Sequence, residues 1–244
     1  MAFYGINDCL LLYLNNLIFK YNSKNYLLIH WKMIKYQCGS EIMKNEDKIM
    51  KVIKNGYLKT SDLKKIDVSK HYLSLLQKEK VIEKVSRGLY LKCDELNDRL
   101  FEIQYLSNKC IFSNLTALYF HGYSNRIPLV YDVTVPRDYS GSLQHIDNVD
   151  LYYVDKKVLN LGVTTIIDEF GNELKCYDLE RSICDIIKNK NKLDSELVNK
   201  ALRQYFFSVN KNPIKLFDYA KKLKVYKKMM EVFEVLSWLK IKIV

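Results

Sequence analysis

Along residues 43–92 the apolar positions recur first with a helical period and then with a period of two. Ile49, Val52 and Ile53 mark one face of a helix that stops at Asn55-Gly56, a helix-terminating pair. Thr60 is placed to cap a short helix running through Leu63 to Ile66. Ser69 is placed to cap a third over residues 70–79, whose Tyr72, Leu73 and Leu76 share one apolar side. Residues 81–85 and 89–92 then read as strands flanking Ser86-Arg87-Gly88, a tight turn whose glycine suits a positive φ. Helix, helix, helix and hairpin in this order predict a winged helix-turn-helix over residues 43–93.

After a polar linker, "CDELND", the pattern becomes that of a mixed α+β unit over residues 99–244. Ile103 to Leu106 reads as helical, and Ser113 opens a helix closed by His121-Gly122. "YDVTVP" (131–136) and "VDLYYV" (149–154) read as strands, and residues 163–167 with 173–177 as a hairpin about "DEFGN". From Asp178 onward the periodicity is helical over 179–189, 195–206, 213–223 and 226–239. The expected fold class is therefore α+β, an N-terminal winged helix followed by a small sheet and a helical C-terminal end.

Residues 1–42 do not share this patterning. Their "CLLLYLNNLIF" is interrupted by Asn15-Asn16 and falls short of the roughly 20 residues that span a bilayer. "MKNEDKIMKVIKNGYL" from Met43 resembles a natural protein start, so 1–42 is read as an atypical leader upstream of it.

Composition adds a location for charge. The chain has 244 residues and a formal net charge of +11, with 48% hydrophobic and 27% charged residues, a globular mix. Residues 43–92 hold 13 Lys and Arg against 6 Asp and Glu, whereas 93–244 hold 22 against 20. A surplus confined to the helix–hairpin segment suits a polyanion. With Tyr72, Leu73 and Leu76 inward, Lys70, His71, Ser74 and Gln77 face outward on the third helix. Lys70 and Lys78 suit phosphates or guanine edges, and Ser74 or Gln77 suits an adenine. Arg87 at the hairpin tip, with Lys84 beside it, would reach a phosphate or the minor groove. The alternative is a helix–hairpin unit that docks protein and carries solvated lysines.

Catalytic assemblies are absent from the sequence as motifs. There is no H-E-x-x-H, Walker A loop, G-x-S-x-G elbow or Cys-His metal spacing, and the four histidines are scattered. The six cysteines form no C-x-x-C pair and no secretory signal is seen, which predicts a cytoplasmic protein with reduced thiols. "SGSLQHIDNVDLYY" has Tyr152 where a nucleotidyltransferase would need a second carboxylate after Asp150. Asp168, Glu173 and Lys175 echo a metal-dependent nuclease site, with an ordinary charged hairpin as the simpler reading. In "CYDLERSICDII", Asp178 caps a helix, Leu179, Ile183, Ile186 and Ile187 face a core, and Arg181 and Asp185 stand at i and i+4 on a polar row able to pair or to meet a partner. No cofactor or metal is expected, and the chain reads as non-enzymatic.

"NGYLKTSDLKKIDVSKHYLSLLQKEKVIEKVSRGLY", "FSNLTALYFHGYSNRIPLVYDVTVPR" and "YDLERSICDII" together resemble the AbiEi-type antitoxins of abortive-infection, type IV toxin–antitoxin systems. The likeness runs from about residue 45 to 230 and leaves out the first 42. Lys80 stands where such sequences commonly have Gly. The resemblance implies an antitoxin, active in phage defence, that represses its own operon by binding promoter inverted repeats through the winged helix. It also implies that the protein counteracts a nucleotidyltransferase-like toxin without a stable complex being required. Carried onto this chain, it gives DNA contact to Lys70, His71, Ser74, Lys84 and Arg87, and an antitoxin surface to Arg137, Arg181 and Asp185. The rival expectation is a winged-helix transcriptional regulator whose C-terminal domain senses a ligand or a protein.

Overall fold

The computed structural model describes residues 45, 47–124 and 126–243, the last six of these by backbone alone. The leader and the start at Met43 lie outside the described residues. Mixed α+β architecture is present, in two compact units. One holds the described residues up to Lys84 with Gly88–Glu95, the other Val85–Arg87 with Leu96 onward.

In the first unit a helix over 47–52 (α1) leads to strand β1 (Tyr57–Lys59), helices α2 (Thr60–Lys65) and α3 (His71–Lys78), and the hairpin β2 (Ile82–Ser86) and β3 (Leu89–Lys92), whose tip, Val85–Arg87, is counted with the second unit. The sheet order is β1-β3-β2, with Tyr57 opposite Leu91 and Lys59 opposite Leu89. β1 goes unseen in the sequence because three residues are too few to show a period. Ile49, Leu58, Leu63, Leu73, Leu76 and Ile82 make its core, which fixes the inward side of every helix. Two expected caps change. Thr60 is the first helical residue, and its hydroxyl donates to the Gly88 carbonyl at 3.1 Å, tying α2 to the hairpin. Ser69 Oγ lies a long 3.4 Å from the His71 N–H. Lys80 takes φ 57°, the left-handed backbone that ends α3 and starts β2.

The second unit is built on a five-stranded sheet of order β6-β5-β4-β8-β7: β4 (Ile111–Phe112), β5 (Tyr131–Pro136), β6 (Val149–Val154), β7 (Val163–Ile167) and β8 (Glu173–Tyr177). β5 with β6 and β4 with β8 are parallel, while β4 with β5 and β7 with β8 are antiparallel. Helices α4 (Arg99–Leu106) and α5 (Asn114–Phe120) precede β5, and α6 (Lys156–Leu159) precedes β7. The chain ends in α7 (Leu179–Asn189), α8 (Ser195–Phe207), α9 (Pro213–Lys222) and α10 (Tyr226–Ile243). One core lies on the sheet, around Ile103, Phe112, Val133, Val135 and Leu174. A second joins α5 to the terminal helices through Leu118, Ile183, Ile187, Leu202, Tyr205 and Leu216. No helix among the described residues is long and apolar enough to cross a membrane.

Candidate nucleic-acid interface

α3 separates its faces cleanly. Leu73 and Leu76 are buried and Tyr72 is half-buried, while Lys70, His71, Ser74, Gln77 and Lys78 are all exposed. The cause is periodicity: 73 and 76 sit on the stripe that meets Ile49, Leu58 and Leu63, so 70, 74, 77 and 78 fall on the outer arc. None of the exposed α3 side chains is engaged by an ion pair among the described residues, which leaves them available to a partner. On the hairpin, Lys84 and Arg87 are exposed, and Gly88 holds φ 81° behind the tip. Leu89 and Leu91 are buried beneath the strands, so the cationic side chains lie on a supported hairpin.

The residues expected to form an antitoxin surface divide. Arg137, just past β5, is exposed. Arg181 and Asp185 are not on a surface at all, at 0% and 3% exposure, and that expectation is corrected. Arg181 Nε donates to both Asp185 oxygens, at 3.1 and 3.0 Å. Its Nη1 donates to the Val158 and Leu161 carbonyls at 2.7 and 2.9 Å, and its guanidinium lies 4.1 Å from the centre of the Tyr177 ring. Burial pushes the Asp185 carboxyl upward while Arg181 pulls against it. Glu180, on the same helix, is buried as well, beside Lys215 and the Tyr205 hydroxyl. These polar groups are structural because α9 and the 158–162 segment cover a helix face that is polar by sequence.

Asp168 is employed by its own turn. Its Oδ1 accepts from the Phe170 and Asn172 N–H groups, each at 2.9 Å. Glu173 and Lys175 are exposed on the outer side of β8, and the Lys175 main chain is clasped by the Gln104 amide at 2.7 and 2.8 Å. That is the charged-hairpin arrangement. His121 ends α5 as expected and bonds the Tyr177 carbonyl at 2.8 Å through Nε2. Cys176 and Cys184 are buried in the core, their thiols pushed up by burial, Cys176 to about 12.

Two buried carboxyls were not anticipated. Asp98 caps α4, Oδ1 accepting from Leu100 and Phe101 at 2.9 and 3.1 Å, and Oδ2 accepts from Asn172 Nδ2 at 2.8 Å. Burial, and then the facing Asp168 carboxyl, push it up to about 6. Asp132 sits on β5, where both it and Thr134 are buried beneath α5. Asp132 Oδ2 accepts from Leu115 N at 3.0 Å, supplying the cap that Ser113 does not. Burial raises it to about 6, with the Tyr152 hydroxyl opposing the shift. The available signal was a charged residue inside a strand whose neighbours are all apolar or β-branched.

No family model matches the chain, and no curated protein matches it. Among solved structures it is similar to the crystal structure of the RV2827C protein from Mycobacterium tuberculosis, with 10% identity, a TM-score of 0.43, and coverage of 73% of this chain and 75% of that one. At this level of likeness the functional reading rests on the residues themselves.

Proposed function

We propose that the first unit is a winged helix-turn-helix that binds double-stranded promoter DNA, and that the chain is the antitoxin and autorepressor of a toxin–antitoxin pair. The observation that supports DNA binding is the single exposed arc of α3, where Lys70, His71, Ser74, Gln77 and Lys78 project away from a helix side anchored by Leu73 and Leu76. A major groove admits one helix presented in this way, with short polar side chains toward base edges and lysines toward phosphates. Lys84 and Arg87 then serve as wing contacts to the backbone. The antitoxin half of the proposal follows from the resemblance to AbiEi-type sequences, and in it the second unit counteracts a nucleotidyltransferase-like toxin. With Arg181 and Asp185 inside the core, Arg137 is the remaining named candidate for that activity.

The test is a gel-shift titration of the full chain against DNA upstream of its own gene, with scrambled competitor, with and without Mg²⁺. A specific, salt-sensitive shift without cleavage is expected. No shift beyond the competitor would overturn DNA binding, and cleavage that needs Mg²⁺ would replace the proposal by a nuclease. Co-expression with a nucleotidyltransferase-like toxin tests the antitoxin half, rescue of growth being expected and continued toxicity overturning it.

A second reading, a regulator that senses a ligand or protein through its C-terminal unit, has one observation in its favour. A cleft of about 610 Å³ lies in that unit, within the size range of ligand sites.

A further inference from the structure

The cleft is bounded by α4, α5, the segment after α5, and the end of β7 with its turn. Four aromatic rings line it: Tyr119, Phe120, Tyr131 and Phe170. Its charged lining consists of Asp168 and Glu169, and no Lys or Arg among the described residues contributes to its wall. In a chain of net charge +11, an acidic lining is contrary to the overall field. Asp168 Oδ1 serves the turn and its buried Oδ2 lies on the side of the Asp98 carboxyl, so Asp168 supplies charge behind the wall and Glu169 is the carboxylate open to the cleft. Glu169 is exposed and makes no ion pair among the described residues. The nearby Arg99 is already paired with Glu102 at 2.6 Å.

Around the mouth, apolar side chains stand in solvent: Ile127 is 66% exposed and Ile167 72%, and Phe170 is 43% exposed. Exposed apolar groups gathered about a concave site mark a surface that another chain covers. A planar cation is the group that satisfies both parts of the lining, since it stacks on ring faces and donates hydrogen bonds to a carboxylate at its edge. A guanidinium does this better than an ammonium, whose point charge is more strongly hydrated.

We propose that this cleft receives an arginine side chain presented by a partner protein, with Phe120, Tyr119 or Tyr131 beneath the guanidinium plane, Glu169 at its edge, the Asp168 charge behind it, and Ile127, Ile167 and Phe170 covering the partner's flanking apolar residues. This is independent of DNA binding. The proposal concerns the second unit alone.

Calorimetric titration of the full chain with three probes tests it: acetyl-arginine methylamide, its neutral citrulline isostere, and benzamidine. The arginine probe is expected to bind saturably at millimolar concentration, the citrulline probe at least tenfold more weakly, and benzamidine to compete with the arginine probe. Glu169→Gln, at an exposed position, is expected to weaken the arginine probe several-fold and leave the thermal unfolding midpoint unchanged. Equal binding of the arginine and citrulline probes, or saturable binding of neither, would overturn the cation site. Benzamidine binding with exclusion of the arginine probe would overturn the side-chain occupant in favour of a small free cation. A concentration-dependent dimer of the full chain that Glu169→Gln dissolves would overturn the hetero-partner in favour of a second copy.

Discussion

Arg181 and Asp185, one helical turn apart on α7, form an ion pair in which a single guanidinium nitrogen reaches both carboxylate oxygens at 3.1 and 3.0 Å with neither residue on the surface. Its Nη1 goes to the Val158 and Leu161 carbonyls and its face to the Tyr177 ring, which holds α7 against the segment that leads into β7, while Nη2 is buried without a hydrogen-bond partner among the described residues. Two charges taken out of water are tolerated because each has its partner. Removing one leaves the other uncompensated.

The first prediction follows from that imbalance. Asp185→Ala should destabilise the protein by about 3–5 kcal/mol, because a buried guanidinium then lacks its counter-charge. Arg181→Lys should also be costly, since an ammonium cannot meet two carboxylate oxygens and two carbonyls together. Urea unfolding of the purified variants reads this out. A loss below about 1 kcal/mol, the range of exposed pairs, would show that the pair is exposed to solvent in solution.

Gly162 gives a second, sterically based prediction. It holds φ 76°, and a Cβ there would meet Arg181 Cβ at 2.8 Å and Asp178 Oδ2 at 3.1 Å. Gly162→Ala should therefore cost more than the roughly 1 kcal/mol of positive φ alone, because Arg181 is pinned and cannot retreat. Gly122→Ala provides the comparison: its φ is 74°, but nothing lies within 4 Å of the added carbon. Thermal unfolding should show a larger loss at 162 than at 122, and the reverse order would refute the packing argument.

The two wing and helix positions should behave differently on DNA. Arg87→Ala removes a proposed phosphate contact and should lower the magnitude of the salt slope of log K by about 0.9 with little change in sequence preference. Gln77→Ala should instead relax discrimination at one base pair by about 1–3 kcal/mol if its contact is bidentate. Competition gel shifts at several salt concentrations separate these outcomes. An unchanged slope for Arg87→Ala would take the hairpin off the backbone.

Acidic pH should stabilise the second unit. Asp98 and Asp132 both have folded-state values raised to about 6, so between the unfolded carboxylate range near 4 and pH 6 the folded chain holds protons that the unfolded chain has lost. Stability contributed by the protonated form is full below about pH 4 and declines as pH rises through 6. A shift of about two units corresponds to roughly 3 kcal/mol for each group as an upper bound. Asp98→Asn, which keeps the shape and cannot ionise, should flatten the fall in unfolding free energy between pH 4 and 7. A profile unchanged by Asp98→Asn would assign the dependence to other groups.

Much of the architecture could be read directly from periodicity. The helices of the first unit, the hairpin about Ser86-Arg87-Gly88, the strands 131–136, 149–154, 163–167 and 173–177, and the four terminal helices all lie within a few residues of their expected places. These are segments long enough for side chains to declare a spacing of two or of three and four. The outward arc of α3 could be read in the same way, since its two buried leucines and the half-buried Tyr72 fix the rotation of the helix.

Burial of the polar residues depended on the tertiary structure. A spacing of four between Arg181 and Asp185 says that they can pair, and nothing local to 176–187 says that Val158 and Leu161 close over Arg181 or that Lys215 and Asn212 close over Glu180. Likewise Asp132 alternates as a solvent-facing strand residue should, until α5 packs on that face and takes its carboxylate as a cap. β4, two residues long, exists only because β5 and β8 lie on either side of it. The sequence by itself determined which residues share a face, because that follows from the backbone repeat alone. Which faces meet water was decided by contacts between segments far apart in the chain, and those depend on the packing of the whole unit.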